Sequence, residues 1–160
     1  MNPSTNITPD TTRKLTVVYF ALAAGVMLFA LVLGFLYWDG QASILPSTVE
    51  LPLIRLLTMI HVVLWAAAVL LEPHTTRRIL RDAKRPLDHT TFQRVVIARA
   101  YVMEMPAMFG LVICLLAITN GLMYAQPVWA LNALSSLWML GFVIQNRPDT
   151  PDLPERLENL

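Results

Sequence analysis

Residues 15–38 run without a single charged side chain. A bilayer's hydrocarbon core is crossed by about 20 apolar residues of helix, at ~1.5 Å per residue. Inside lipid the backbone must satisfy its own hydrogen bonds, so one continuous apolar run of this length must be helical. Three further stretches follow the same pattern. Residues 53–71 are interrupted by Arg55 and His61, and residues 95–118 by Arg99 and Glu104. Residues 128–145 enclose Asn132, Ser135 and Ser136. The sequence therefore predicts an all-α fold: an integral membrane bundle of four transmembrane helices over residues 15–145, with tails at 1–14 and 146–160.

Composition removes the alternatives. The chain is 56% hydrophobic and 14% charged, whereas a soluble domain carries about 25% charged residues. A net charge of +1 gives no basic surface for nucleic acid. The lone cysteine, Cys114, forms no internal disulfide and no thiolate zinc site. The partner this chain requires is the lipid bilayer.

Punctuation sets the expected span ends. Asp39-Gly40 stops the first span, Pro52 opens the second and Pro73 closes it. Thr90 and Gln93 have capping-box spacing before the third. Asn120-Gly121 ends the third, Pro127 opens the fourth and Pro148 follows it.

Positive charge orients the spans. Arg77, Arg78, Arg81, Lys84, Arg85 and Arg94 lie between spans two and three. Arg13 and Lys14 precede span one; Arg147 and Arg156 follow span four. The segments 39–52 and 119–127 contain no Lys or Arg. Both termini and the central segment are expected in the cytoplasm, in a bacterial inner membrane. The six central basic residues should meet anionic lipid, each worth about 1 kcal/mol near the surface, with Ile79 and Leu80 dipping into the interface. The first span is too long for a cleaved signal segment and should persist as a helix. The proline-rich, charged tail 146–160 is expected to be mobile. Ala21 with Gly25, Ala30 with Gly34, residues 66–68, and Ala133 beside Ser136 offer small-residue surfaces, for packing within the bundle or against a partner subunit.

Chemistry would reside in the polar groups inside the spans, because each is costly there. Glu104 lies near the middle of span three and His61 near the middle of span two. Adjacent antiparallel spans would let them pair. Asn132 and Ser136 are the next candidates to meet Glu104. Pro106 removes the bond to the carbonyl of Val102 and should kink the helix beside Glu104. Arg55 and Arg99 lie near span ends, where long side chains snorkel. Only His61 qualifies as an intramembrane histidine, so a bis-histidine haem is not expected. No metal site, cofactor or complete catalytic set is expected, and no catalytic residue is assigned.

The stretch 99–112, RAYVMEMPAMFGLV, resembles the carboxylate-bearing helix of the ATP synthase proteolipid, subunit c. That resemblance implies an ion-carrying role for Glu104. The proteolipid's partner helix is glycine-rich, whereas residues 53–71 contain no glycine. The Glu-x-Pro-Ala-x-x-Gly-Leu pattern is also similar to one in small uncharacterised four-span bacterial membrane proteins, which implies no activity.

Three functions are open to such a chain. It is an accessory or structural component of a membrane complex, joined to other subunits or to itself. Alternatively it handles protons or cations through Glu104, or provides a quinone or haem site in a redox complex. The orientation is tested by cysteine labelling in a Cys114→Ala background. Ala125→Cys should react from outside and Lys84→Cys only from inside; the opposite pattern would invert the topology.

Overall fold

The computed structural model describes residues 9–40, 51–81 and 88–150, together with Leu153 and Leu157. Among them are α1 (Pro9–Asp39), α2 (Leu51–Arg81) and α3 (His89–Thr119). A short turn of helix, α4 (Leu122–Ala125), leads to a 3-10 segment (Pro127–Ala133), which runs on into α5 (Leu134–Gln145). Four helical stretches are long and apolar enough to cross a membrane: α1, α2, α3, and the 3-10 segment with α5. The first three have 31 residues each, about 46 Å at ~1.5 Å per residue. That exceeds a hydrocarbon core of about 30 Å.

The helix ends follow local chemistry. Asp88 caps α3, its carboxylate accepting from the Thr91 backbone N–H at 3.3 Å. This replaces the expected Thr90/Gln93 capping box: the aspartate lies two residues before Thr90 and its side chain reaches a free N–H of the first turn. Gly121, at φ 71°, makes the left-handed turn after α3. Pro73, expected to close span two, lies inside α2, which continues to Arg81. The apolar run ends there but the helix does not: Thr76 donates to Glu72 across the proline at 3.3 Å. Ile79 and Leu80, expected at the lipid interface, are partly buried against the core. Arg77, Arg78, Arg81 and Arg94 are exposed on helix; Lys84 and Arg85 lie outside the described residues.

α3 is the axis of the fold: α1, α2 and the fourth span all pack on it. Its small residues Ala100, Ala107, Gly110 and Ala117 are buried, and they allow neighbours close approach from several sides. α1 lays Leu15, Tyr19, Ala23, Val26 and Leu33 into the core, one stripe at helical spacing. Tyr19 donates to the Val96 carbonyl of α3 at 3.0 Å. The pairs Ala21/Gly25 and Ala30/Gly34 are exposed, and a Cβ added at Gly25 or Gly34 would touch nothing. Among the described residues, nothing packs closely on Gly25 or Gly34.

Cross-helix bonds show that the spans alternate. At one end Thr11 of α1 meets His89 of α3, and Arg99 of α3 meets Glu72 of α2. Arg99 also donates to Asn146, just beyond α5, at 3.0 Å. At the other end Tyr124 stacks on Tyr37, with centroids 4.9 Å apart, and donates to the Tyr37 carbonyl at 2.9 Å. The start of α1 and the end of α5 are therefore on the same side. Leu153 and Leu157 are buried in the core. At these two leucines the tail expected to be mobile instead packs onto the bundle, because apolar side chains spaced by four form one face.

Arg99 departs from the expected snorkelling. Its side chain is 12% exposed and that of Glu72 13%, and its guanidinium also lies 5.2 Å from the Phe142 ring centroid. A buried charge needs a partner, and Glu72 lies one helix away at the same depth. Arg99→Ala or Glu72→Ala alone should lower unfolding stability by about 3–5 kcal/mol, by leaving the other charge unpaired. The double variant should lose less than the sum of the two, as measured in a mutant cycle. At the start of α3, the bonds from Thr91 hold the Asp88 carboxyl below the usual aspartate range. A lowered folded value stabilises once the aspartate is ionised, above about pH 4. That contribution should fade as pH falls through the folded value, and be absent from the pH profile of Asp88→Ala.

Candidate functional site

His61 is buried where α2, α3 and the fourth span converge, with 2% of its surface exposed. Its position depends on Gly110. A Cβ there would lie 2.1 Å from the Asn132 carbonyl oxygen, 2.8 Å from His61 Nε2 and 2.8 Å from Ser135 Oγ. The missing side chain is what lets the imidazole and the fourth span meet the backbone of α3.

Each polar group around the ring has a defined role. Asn132 Nδ2 donates to Trp129 O at 2.9 Å and to Thr58 Oγ1 at 3.2 Å. That orients the amide and presents Oδ1 to His61 Nδ1–H at 3.0 Å. On the opposite edge, Nε2 lies 3.0 Å from both the Pro106 carbonyl and Ser135 Oγ. The Ser135 hydroxyl has two acceptors of its own, Pro106 O at 3.1 Å and Asn132 O at 3.2 Å. Ser136 donates to the Ala107 carbonyl at 3.1 Å.

This geometry accommodates two proton arrangements. With one ring proton, on Nδ1, Nε2 accepts from the Ser135 hydroxyl. With both nitrogens protonated, Nε2–H donates to Pro106 O, and the Ser135 proton turns to Asn132 O. The second carries one proton more than the first, and the Ser135 hydroxyl turns as that proton is taken up. The same bonds fasten three helices together. The ring also lies parallel to Trp65, one turn along α2, at 6.5 Å between centroids and 9° between planes.

Of the residues singled out from sequence, His61, Pro106, Asn132 and Ser136 come together with Ser135 in this centre. Glu104 does not join them. It lies six residues before Gly110, about 120° away round the helix at 3.6 residues per turn. The face of α3 that meets His61 therefore turns Glu104 aside. At the midpoint of α3 it lines an apolar cavity of about 620 Å³ between α2 and α3, with Leu64, Ala68, Leu71, Val102 and Phe109. Among the described residues it has no hydrogen-bond or ion-pair partner. Arg55 is exposed. The described residues hold no cluster of three or more metal-ligating side chains.

Sequence reasoning passed over Glu72, Thr58, Trp65 and Trp129. Glu72 adjoins Pro73, where the apolar run stops, and its partner Arg99 is 27 residues away. Neither periodicity nor a local motif links them. The two tryptophans carry no motif, since sequence does not reveal which indole N–H groups lack acceptors.

No family model, curated protein or solved structure matches this chain. The fold and the site together define an all-helical protein with four helices long and apolar enough to cross a membrane and a hydrogen-bonded histidine at its centre. Gly110→Ala should destabilise it by about 1–3 kcal/mol through overpacking, because backbone oxygen obstructs the added methyl. Gly25→Ala, where the space is open, is the control and should unfold like the wild type in the same denaturation assay.

Proposed function

We propose that this chain is an accessory subunit of a larger membrane complex. It lies in a bacterial inner membrane with both termini in the cytoplasm, as the basic residues favour. The observation that carries the reading is Glu104. A charged side chain at the centre of a membrane helix costs at least about 2.5–3.5 kcal/mol. Even a neutral carboxyl still wants hydrogen bonds. Among the described residues, His61, Asn132, Ser135 and Ser136 are engaged with one another and with the α3 backbone, and Arg99 with Glu72. Glu104 instead borders a cavity that can receive a neighbouring helix, with Met105 70% exposed beside it. A donor on that helix would complete the carboxyl. The outward Ala21/Gly25 stripe on α1 is a second surface suited to close helix contact.

A photo-crosslinking residue at Met105 or Val112, activated in native membranes, tests this. The expected result is one discrete protein adduct that Glu104→Ala abolishes and Glu104→Gln retains, since glutamine keeps hydrogen-bonding capacity. Adducts with lipid alone would overturn it.

A second reading, proton handling, is favoured by the two proton arrangements open to His61. It predicts that proton flux into vesicles containing the protein is lost in both His61→Gln and Glu104→Gln. Flux that is absent from the wild type, or unaltered in these variants, would exclude it.

A further inference from the structure

At the end of the fold where the chain termini meet, the carboxylates of the described residues are all engaged. Asp10 pairs with Lys14 at 2.6 Å, Asp149 with Arg147 at 3.8 Å, and Glu72 with Arg99. The Asp88 carboxylate accepts from the Thr91 N–H. Arg77, Arg78, Arg81 and Arg94 are exposed, and among the described residues none of them has an ion-pair partner. Over residues 74–94 six basic side chains outnumber two acidic ones, Asp82 and Asp88. Positive charge is therefore left over at this end.

Two contacts fix how α2 and α3 lie against each other. His61 of α2 meets the α3 backbone at Gly110, and Glu72 of α2 meets Arg99 of α3. Between these contacts α2 advances eleven residues and α3 recedes by eleven. Carried five residues further, the same register sets Arg94 level with Arg77 and one residue from Arg78. Direction round each helix then separates the arginines. At 3.6 residues per turn, Arg78 lies two turns past Leu71, within about 20° of it, and Arg94 lies about five full turns before Val112. Leu71 and Val112 both line the apolar groove between α2 and α3, so Arg78 and Arg94 flank the end of that groove. Arg77 is about 120° round from Leu71 and faces away. Arg94 directly precedes the apolar run that begins at Val95. In a bilayer this level is the edge of the hydrocarbon core, where the headgroups begin.

We propose that Arg78 and Arg94 together bind the phosphate of an anionic phospholipid, seated at the end of the α2–α3 groove. Packed helices lie about 8–10 Å apart, a gap that two long side chains span from either side to reach one phosphate. Guanidinium groups donate in pairs to phosphate oxygens, which suits arginine to such a site better than lysine. An anionic headgroup fits better than a zwitterionic one, because among the described residues no carboxylate at this end is free to receive an ammonium. Of the six basic residues expected to meet anionic lipid, the fold selects two for one phosphate and leaves Arg77 on another face. The site lies about 15 Å from Glu104 along α3, at ~1.5 Å per residue, and does not rest on a subunit docking there.

The test is native mass spectrometry of the full chain in detergent, titrated with phosphatidylglycerol, phosphatidylcholine or inorganic phosphate. One phosphatidylglycerol should bind ahead of any other and more tightly than phosphatidylcholine, and excess inorganic phosphate should not displace it. The double variant Arg78→Gln/Arg94→Gln should weaken that first binding by roughly tenfold to thirtyfold. The control, Arg13→Gln/Arg77→Gln, removes the same charge from the same end but from other faces, and should bind as the wild type does. All four positions are exposed, so both variants should unfold thermally like the wild type. Equal loss in the two variants, meaning attraction by net charge alone, would overturn the proposal. So would equal affinity for phosphatidylcholine, or displacement by inorganic phosphate, which would assign a soluble anion instead.

Discussion

The close approach of α3 to the fourth span at Gly110 is the contact on which the centre of this protein depends. With hydrogen in place of a methyl, the Asn132 carbonyl, His61 and Ser135 all come within reach of the α3 backbone. Helices in lipid gain little from hydrophobic burial against one another, so packing distance and interhelical hydrogen bonds decide whether they associate. Here the two coincide. The glycine permits the distance, and Pro106 O, Ala107 O and the His61 ring use it.

A second fastening lies toward the end where the chain termini meet. Arg99, Glu72 and Asn146 join α3, α2 and the end of α5, while Phe142 covers the guanidinium. The two fastenings differ in kind. The one at Arg99 is an ion pair, whose value depends on both partners being present. The one at His61 is a set of hydrogen bonds among an imidazole, an amide, hydroxyls and backbone carbonyls. Between them α3 is held to both flanking spans, which accounts for its being the most buried of the four spans.

Much of the architecture was legible in the residues. Four apolar runs gave the four spans because bilayer thickness imposes a length and lipid imposes helix. His61, Pro106, Asn132 and Ser136 stood out because polar groups and prolines are conspicuous in such runs. Helix ends were less legible. Pro73 read as a stop, yet α2 passes through it, because hydropathy marks where lipid ends and not where the backbone ladder does. The tail was read from its prolines and charges as mobile, and the paired spacing of Leu153 and Leu157 went unused.

The sequence by itself determined four helices long and apolar enough to cross a membrane, since no other form satisfies the backbone of such apolar runs in lipid. It also determined which few polar residues had to find partners there. Only the tertiary structure decided who those partners are. Glu104 and His61 looked like a pair because both lie mid-span, but rotation about α3 separates them and directs Glu104 into an apolar cavity. Arg99 looked free to snorkel and instead meets Glu72. Depth along a helix can be counted from sequence, because rise per residue is constant. The facing of one helix toward another depends on contacts far apart in the chain, such as that at Gly110, and these exist only once the helices have packed.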